Sequence, residues 1–279
     1  MKKLLLATIA LGGAMACFAQ ADSTSQEKVD TIKVGGMVII KKKGKNTDDN
    51  HISISEGHHR HYKSPSNLTT NWCILDIGFA NINDRSNYAA AQAQGFTGPG
   101  VGNDQFHFKS GKSVNVNFWL FVQRLNLIKH VVNLKYGLGL ELNNYRFDDE
   151  TVKFQKNPTY IYIDPALKDN VKKNKLAADY ITAPLMLNFN LTPKRNNGFG
   201  FSAGVSAGYL YSSRQKIKDS DNNKSKTHDD FDLRPWKLSY IGELNLSFIH
   251  FYGSYAFKSM WDKGLDQTPY TVGIRFSTQ

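Results

Sequence analysis

The sequence predicts an all-β fold: an eight-stranded antiparallel transmembrane β-barrel with short periplasmic turns and long extracellular loops. Three observations predict it. The N-terminus reads as an export signal, eight segments alternate apolar and polar residues, and the connections alternate between short and long. Mean hydropathy is blind to this pattern. At −0.44, no stretch beyond the N-terminus approaches the roughly 20 apolar residues of a membrane helix. Strands with one lipid-facing side average out in any such window.

The export signal comes first in the chain. Lys2 and Lys3 precede the apolar run Leu4 to Phe18, and Ala19-Gln20-Ala21 is a small-x-small cleavage site, so residues 1–21 read as a secretory signal peptide. The positions before Cys17 lack the leucine of a lipoprotein leader. Cys73 is then the only cysteine left, which excludes an internal disulfide and the Cys-x-x-Cys redox and metal patterns.

Residues 22–71 read as a flexible periplasmic tail. They offer one short strand within Asp30 to Ile40, a basic run Lys41 to Lys45, and the histidines His51, His58, His59 and His61. Such a tract can bind metal, but no acidic or cysteine partner stands at a defined spacing, and no metal site is assigned. Without Lys2 and Lys3 of the signal peptide the formal charge of +11 becomes +9, and the basic residues fall in this tail and in the loops, at Lys172–Lys175 and Lys216–Lys226. For an exported chain that suits anionic lipid or surface glycans, not nucleic acid.

Residues 72–279 carry the barrel, with strands expected near 72–81, 113–124, 131–146, 177–191, 198–213, 235–247, 249–259 and 269–277. In the third, Val132, Leu134, Tyr136, Leu138, Leu140 and Leu142 oppose Asn133, Lys135, Gly137, Gly139, Glu141 and Asn143. The second sets Val114, Val116, Phe118, Leu120 and Val122 against Asn115, Asn117, Trp119, Phe121 and Gln123. In the fifth, Phe199, Phe201, Val205 and Tyr209 oppose Gly200, Ser202, Ser206 and Gly208. The connections 125–130, 192–197 and the single residue near Phe248 are short, whereas 82–112, 148–176, 214–234 and 260–268 are mostly long. Soluble sandwiches have no reason to gather every long loop at one end. Aromatic girdles are expected from Trp72, Tyr145, Tyr209, Tyr211, Trp236, Tyr255, Phe257, Trp261, Tyr270 and Phe276. The amphipathic strand Tyr270–Phe276 is one that barrel-assembly machinery could recognise.

An eight-stranded barrel has an interior just wide enough for side chains. The polar, glycine-rich face therefore belongs inside and the apolar face against lipid. The inward set then collects Asp76, Glu141 and Glu243 against Lys135, Lys237, Lys258 and Arg275. These charges must pair, as a structural plug of salt bridges or as an ion or proton pathway. A wide pore is excluded, because porins need about sixteen strands.

No catalytic constellation emerges. His107, His130, His228 and His250 lack a fixed nucleophile partner. The glycines of Asn87 to Asn103 do not follow a strand and open a helix, so they make no phosphate cradle. A loop folding over the barrel mouth, or contacting a partner, is expected there.

Tyr180, Pro184, Leu185 and Leu187, within Tyr180-Ile-Thr-Ala-Pro-Leu-Met-Leu187, form a Tyr-x-x-x-Pro-Leu-x-Leu pattern, followed by the glycine-rich strand Gly198 to Gly208. The region 72–279 thus resembles the PorT-like outer-membrane β-barrel proteins of the Bacteroidota; the tail 22–71 departs from that pattern. The resemblance implies a barrel in the bacterial outer membrane and no reaction, since members share no catalytic residues. Pro184 itself implies a bulge or a locally open ladder.

The function expected is a non-enzymatic integral outer-membrane protein acting in envelope assembly, secretion or surface interaction through its loops. Its partners would be outer-membrane lipid, the barrel-assembly machinery and envelope or secretion proteins, with no cofactor. A narrow channel or small-solute transporter, and a lipid-modifying enzyme, are the alternatives.

Overall fold

The computed structural model describes residues 30–34, 37–41, 53–55, 66–193 and 198–276. The signal peptide, the histidine cluster and the Lys42–Lys45 part of the basic run lie outside the described residues. In the first unit, three strands pair antiparallel in sequence order, β1 (Asp30–Val34), β2 (Met37–Lys41) and β3 (Ser53–Ser55). The sequence suggested one strand here.

The second unit, Ser64–Gln279, runs β4 (Leu68–Asp84), the short helix α1 (Tyr88–Ala93), β5 (Val114–Ile128), β6 (Val132–Arg146), the small hairpin β7 (Val152–Gln155) and β8 (Tyr160–Ile163), β9 (Val171–Asn190), β10 (Phe199–Asp219), β11 (Lys224–His228), β12 (Trp236–Leu246), β13 (Ile249–Ala256) and β14 (Gln267–Phe276). Eight of these strands close into one antiparallel ring, β4-β5-β6-β9-β10-β12-β13-β14, with β14 pairing back onto β4. All eight expected segments are strands. The main differences lie on the loop side, where β9 starts at Val171 and β10 runs to Asp219 before turning into β11. Much of the expected long loops is therefore sheet rising above the barrel rim.

The alternation sets which side chains meet lipid. Trp72 and Trp236 are each 60% exposed, and Ile77, Phe79, Leu185, Leu187, Phe201, Val205, Leu238 and Val272 share the outward face. Asp76, Asn115 and Asn143 are fully buried. This inverts a soluble core, as lipid outside and a polar filling inside require.

Two irregularities bear on the expected strands, and the first changes their phase. In β5, Trp119 faces Gly139 and Phe121 faces Leu138, leaving Leu120 as an extra residue. This bulge turns Val122 inward (4% exposed) and Phe121 outward. Beyond the bulge the expected faces are therefore reversed. Beside Pro184, the β6–β9 ladder breaks between Tyr136/Leu185 and Gly139/Thr182 without changing register, while β9–β10 stays continuous through Pro184/Ser206. Proline lacks an N–H, so the ladder opens on one side only.

At the closing seam, Gly78 and Gly273 face each other under the ring of Tyr252. A Cβ on Gly78 would lie 2.3 Å from the carbonyl oxygen of Val272 and 2.5 Å from the Tyr252 hydroxyl. Only glycine allows β4, β14 and this tyrosine to pack so closely.

Candidate functional site: the plugged interior and its cap

The barrel centre is an ordered network of charges and amides. Arg275 donates from Nε and Nη2 to the two carboxylate oxygens of Asp76, at 2.7 and 2.8 Å, and from Nη1 to Glu243. Lys135 donates to the other oxygen of Glu243. Asp76 also accepts from Trp119 Nε1 at 2.7 Å. Across the lumen, Lys237 donates to Glu141, which accepts further bonds from Asn143 Nδ2 at 2.9 Å and Thr182 Oγ1 at 3.3 Å. Asn115 bridges Asn117 and Asn143, and accepts from Tyr252 at 2.6 Å.

Three carboxylates therefore meet three cations, and the interior is close to neutral. In low dielectric such groups persist only when paired and hydrogen-bonded. A gap of about 30 Å³ among Asp76, Glu141, Glu243 and Arg275 is large enough to hold a water. Lys258 is not in this cluster. It follows the end of β13 at Ala256 and is exposed.

A second layer closes the loop-side mouth. Phe96, Phe106, Phe147, Phe154, Phe231 and Trp261, drawn from all four outer connections, are buried in one apolar cluster. Phe154 stacks on Trp261 at 6.0 Å, and Phe106 meets Phe147 edge-on at 5.5 Å. Tyr145 and Trp261, expected in the aromatic girdle, are each 1% exposed and belong to this cluster instead, because the folded loops cover them. The loop Asn87–Asn103 folds over the mouth, with α1 capped by the Asn87 side chain onto Ala90 N.

Buried amides fasten the cap to the wall. Gln267, fully buried in β14, donates to Asp84 at 2.9 Å and Tyr88 at 3.2 Å, and accepts from Trp261 Nε1 at 2.8 Å. Gln215 of β10 donates to Val152 O at 2.8 Å and Asn174 Oδ1 at 2.9 Å, and accepts from Phe154 N at 3.0 Å. The loops are also joined backbone to backbone: Ile161 N to Phe96 O at 3.0 Å, Asp148 N to His107 O at 2.8 Å, and Arg234 N to Met260 O at 2.7 Å.

The family model for the outer membrane protein beta-barrel domain matches residues 77–260, which is more than half of the chain and spans the ring from within β4 past β13. The chain belongs to the outer-membrane β-barrel protein family. Its place is therefore the bacterial outer membrane, with the apolar belt in lipid and the cap outside. No curated protein matches the sequence.

Within this barrel the Tyr-x-x-x-Pro-Leu-x-Leu residues divide by direction. Tyr180 is buried below the cap with the Lys237 ammonium 4.9 Å from its ring centre. Pro184 faces the interior, while Leu185 and Leu187 face lipid. The pattern is therefore architectural. Alternation places Asn115 and Trp119 on the inward face without showing their partners, and it gives no sign of Gln215 or Gln267. A polar residue on the inward face of a strand was the available signal for Asn115, and neither glutamine is distinguishable without its partners. Among the described residues, no group of three or more His, Cys, Asp or Glu is placed to hold a metal.

Proposed function

We propose that this protein is a closed, non-enzymatic outer-membrane barrel whose ordered cap presents a fixed surface to envelope or secretion proteins. One observation carries the reading: four outer connections share a single buried aromatic core above a charge-paired interior. A conduction path has to cross both layers, and opening the lower one leaves buried charges without partners. A loop set that served only to link strands has no need of a shared core, whereas a binding surface gains affinity from being ordered beforehand.

Planar-bilayer recording tests the closed state. Purified protein gives no discrete conductance steps, and reproducible single-channel steps from wild type would show the plug reading to be wrong. Photo-crosslinkers at exposed cap positions such as Asp104 and Lys156 then capture envelope proteins in intact cells, while the same probe at the periplasmic turn residue Lys129 does not. Equal capture from both ends would remove the cap from its assigned role.

A further inference from the structure

Above the lipid belt the wall continues as a sheet of β6, β9, β10 and β11. Its register lines up basic residues across the strands. One row runs Lys226, Lys216, Lys175 and Arg146, each directly opposite the next. The row above it runs Lys224, Lys218 and Lys173. In these strands Tyr145, Asn174, Leu176, Ser213 and Gln215 are the buried, inward residues. Alternation therefore turns both basic rows outward.

Like charges directly opposite on one face of a sheet repel, with strands only about 4.8 Å apart. Among the described residues none of these six lysines has an ion-pair partner, and the one carboxylate near Arg146 is Glu150, at 3.6 Å, while its Nη2 donates to the Lys172 carbonyl at 2.7 Å. The nearest acids are engaged elsewhere. Asp179 holds Arg214 at 2.5 Å, and Asp219 accepts from Asn223 Nδ2 at 3.0 Å. Partial burial, with Lys173, Lys216 and Arg214 close by, pushes Lys175 down to about 8. A polyanion would relieve this repulsion.

The position of the rows selects the polyanion. They continue the strand that carries the outward Tyr209 and Tyr211 of the aromatic belt. At about 3.4 Å per residue and a tilt near 40°, Lys216 and Lys218 stand roughly 10–20 Å above that belt. Lysine stems are long enough to reach back toward the membrane. The rows face sideways over the lipid next to the barrel, away from the cap crest.

We propose that this outward basic wall binds the phosphate groups of anionic glycolipid headgroups in the outer leaflet, holding such lipid on one flank of the barrel. The site is separate from the cap surface assigned above, and either can fail without the other.

The test uses the full-length protein in phosphatidylcholine nanodiscs doped with bis-phosphorylated lipid A, with retained lipid counted by native mass spectrometry. Wild type retains the phosphorylated lipid in preference to its dephosphorylated form, and high salt abolishes the preference. Replacing Lys173, Lys216, Lys218 and Lys226 by glutamine weakens retention on the order of a thousandfold, with heat-modifiable gel mobility unchanged. Should that variant not assemble, Lys224→Gln with Lys226→Gln, both exposed on β11, is scored for the same loss on a smaller scale. Lys112→Gln with Lys156→Gln serves as the control and retains lipid as wild type does. Equal retention of the dephosphorylated lipid, or full retention by the wall variants, overturns the proposal. So does capture of soluble dextran sulfate by the wall without retention of lipid A.

Discussion

Arg275 of β14 lies directly opposite Asp76 of β4 and grips it through two parallel hydrogen bonds, Nε–Oδ1 at 2.7 Å and Nη2–Oδ2 at 2.8 Å. This is the seam where the ring closes. The bond that joins the two ends of the sheet is thus also the fork-on-fork ion pair at the centre of the interior network.

Arg275→Ala leaves Asp76 buried without its main partner and Glu243 with Lys135 alone. Removing one member of such a pair costs about 3–5 kcal/mol. The expected outcome is a lower urea midpoint and a smaller heat-modifiable fraction. Arg275→Ala with Asp76→Asn recovers part of the loss; if the double variant is worse than the single by the full cost of a second lesion, the two residues are not coupled.

Gly78→Ala places a methyl group against the Val272 carbonyl and the Tyr252 hydroxyl. Closure of the ring is expected to suffer more than from Gly253→Ala, whose Cβ would meet nothing nearer than 3.4 Å. Yields of folded barrel in the membrane fraction measure the difference.

Gln267→Ala removes the clamp between Asp84, Tyr88 and Trp261, leaving buried groups unsatisfied at about 1–3 kcal/mol. The cap loosens while the barrel below keeps its own ladder. Limited proteolysis should therefore cut within 85–113 in the variant and spare it in wild type, with the heat-dependent gel shift unchanged in both.

The four tryptophans report the layering one by one. Trp72 and Trp236 are 60% exposed on the lipid face, whereas Trp119 is 7% exposed in the interior and Trp261 1% in the cap. Single-tryptophan variants in bilayers of brominated lipid should show strong quenching for the first two and little for the others. Quenching of Trp119 would place the interior wall against lipid.

Lys175 stands above the membrane, where burial and neighbouring cations hold it near 8 against an ordinary 10.5. Between those two values the folded hairpin holds fewer protons than the unfolded chain, so its stability rises with pH across that window. Amide exchange of β9–β11, corrected for intrinsic rate, should slow from pH 8 to 10. In Lys175→Met this dependence is reduced.

Much of the barrel is legible in the sequence because period-two alternation is a local property. Val132 to Asn143 declares its two faces within a dozen residues. The bulge at Leu120 is different in kind: it exists only relative to β6, so alternation alone turns Val122 toward lipid although it faces inward. The interior charges could be collected by parity, but who meets whom depends on register, and Lys258 lies beyond the last paired residue of its strand. The cap was the least legible part. Phe96, Phe106, Phe147, Phe154 and Phe231 sit at irregular spacing among glycines and charges, and no helical or strand period links them. Their number in segments that read as loops was the one available sign.

A surface made of independent loops can be remodelled one loop at a time. Here the four connections share a core, so a change in Phe154 or Trp261 alters the support beneath every loop at once. Freedom to diverge is left to the exposed crest and to hairpin tips such as Lys156–Asn157 and Asp221–Asn222, which carry no core residue. Under pressure from phage or antibodies, this protein should accumulate its variation and its insertions at those tips, with the aromatic positions held fixed between them.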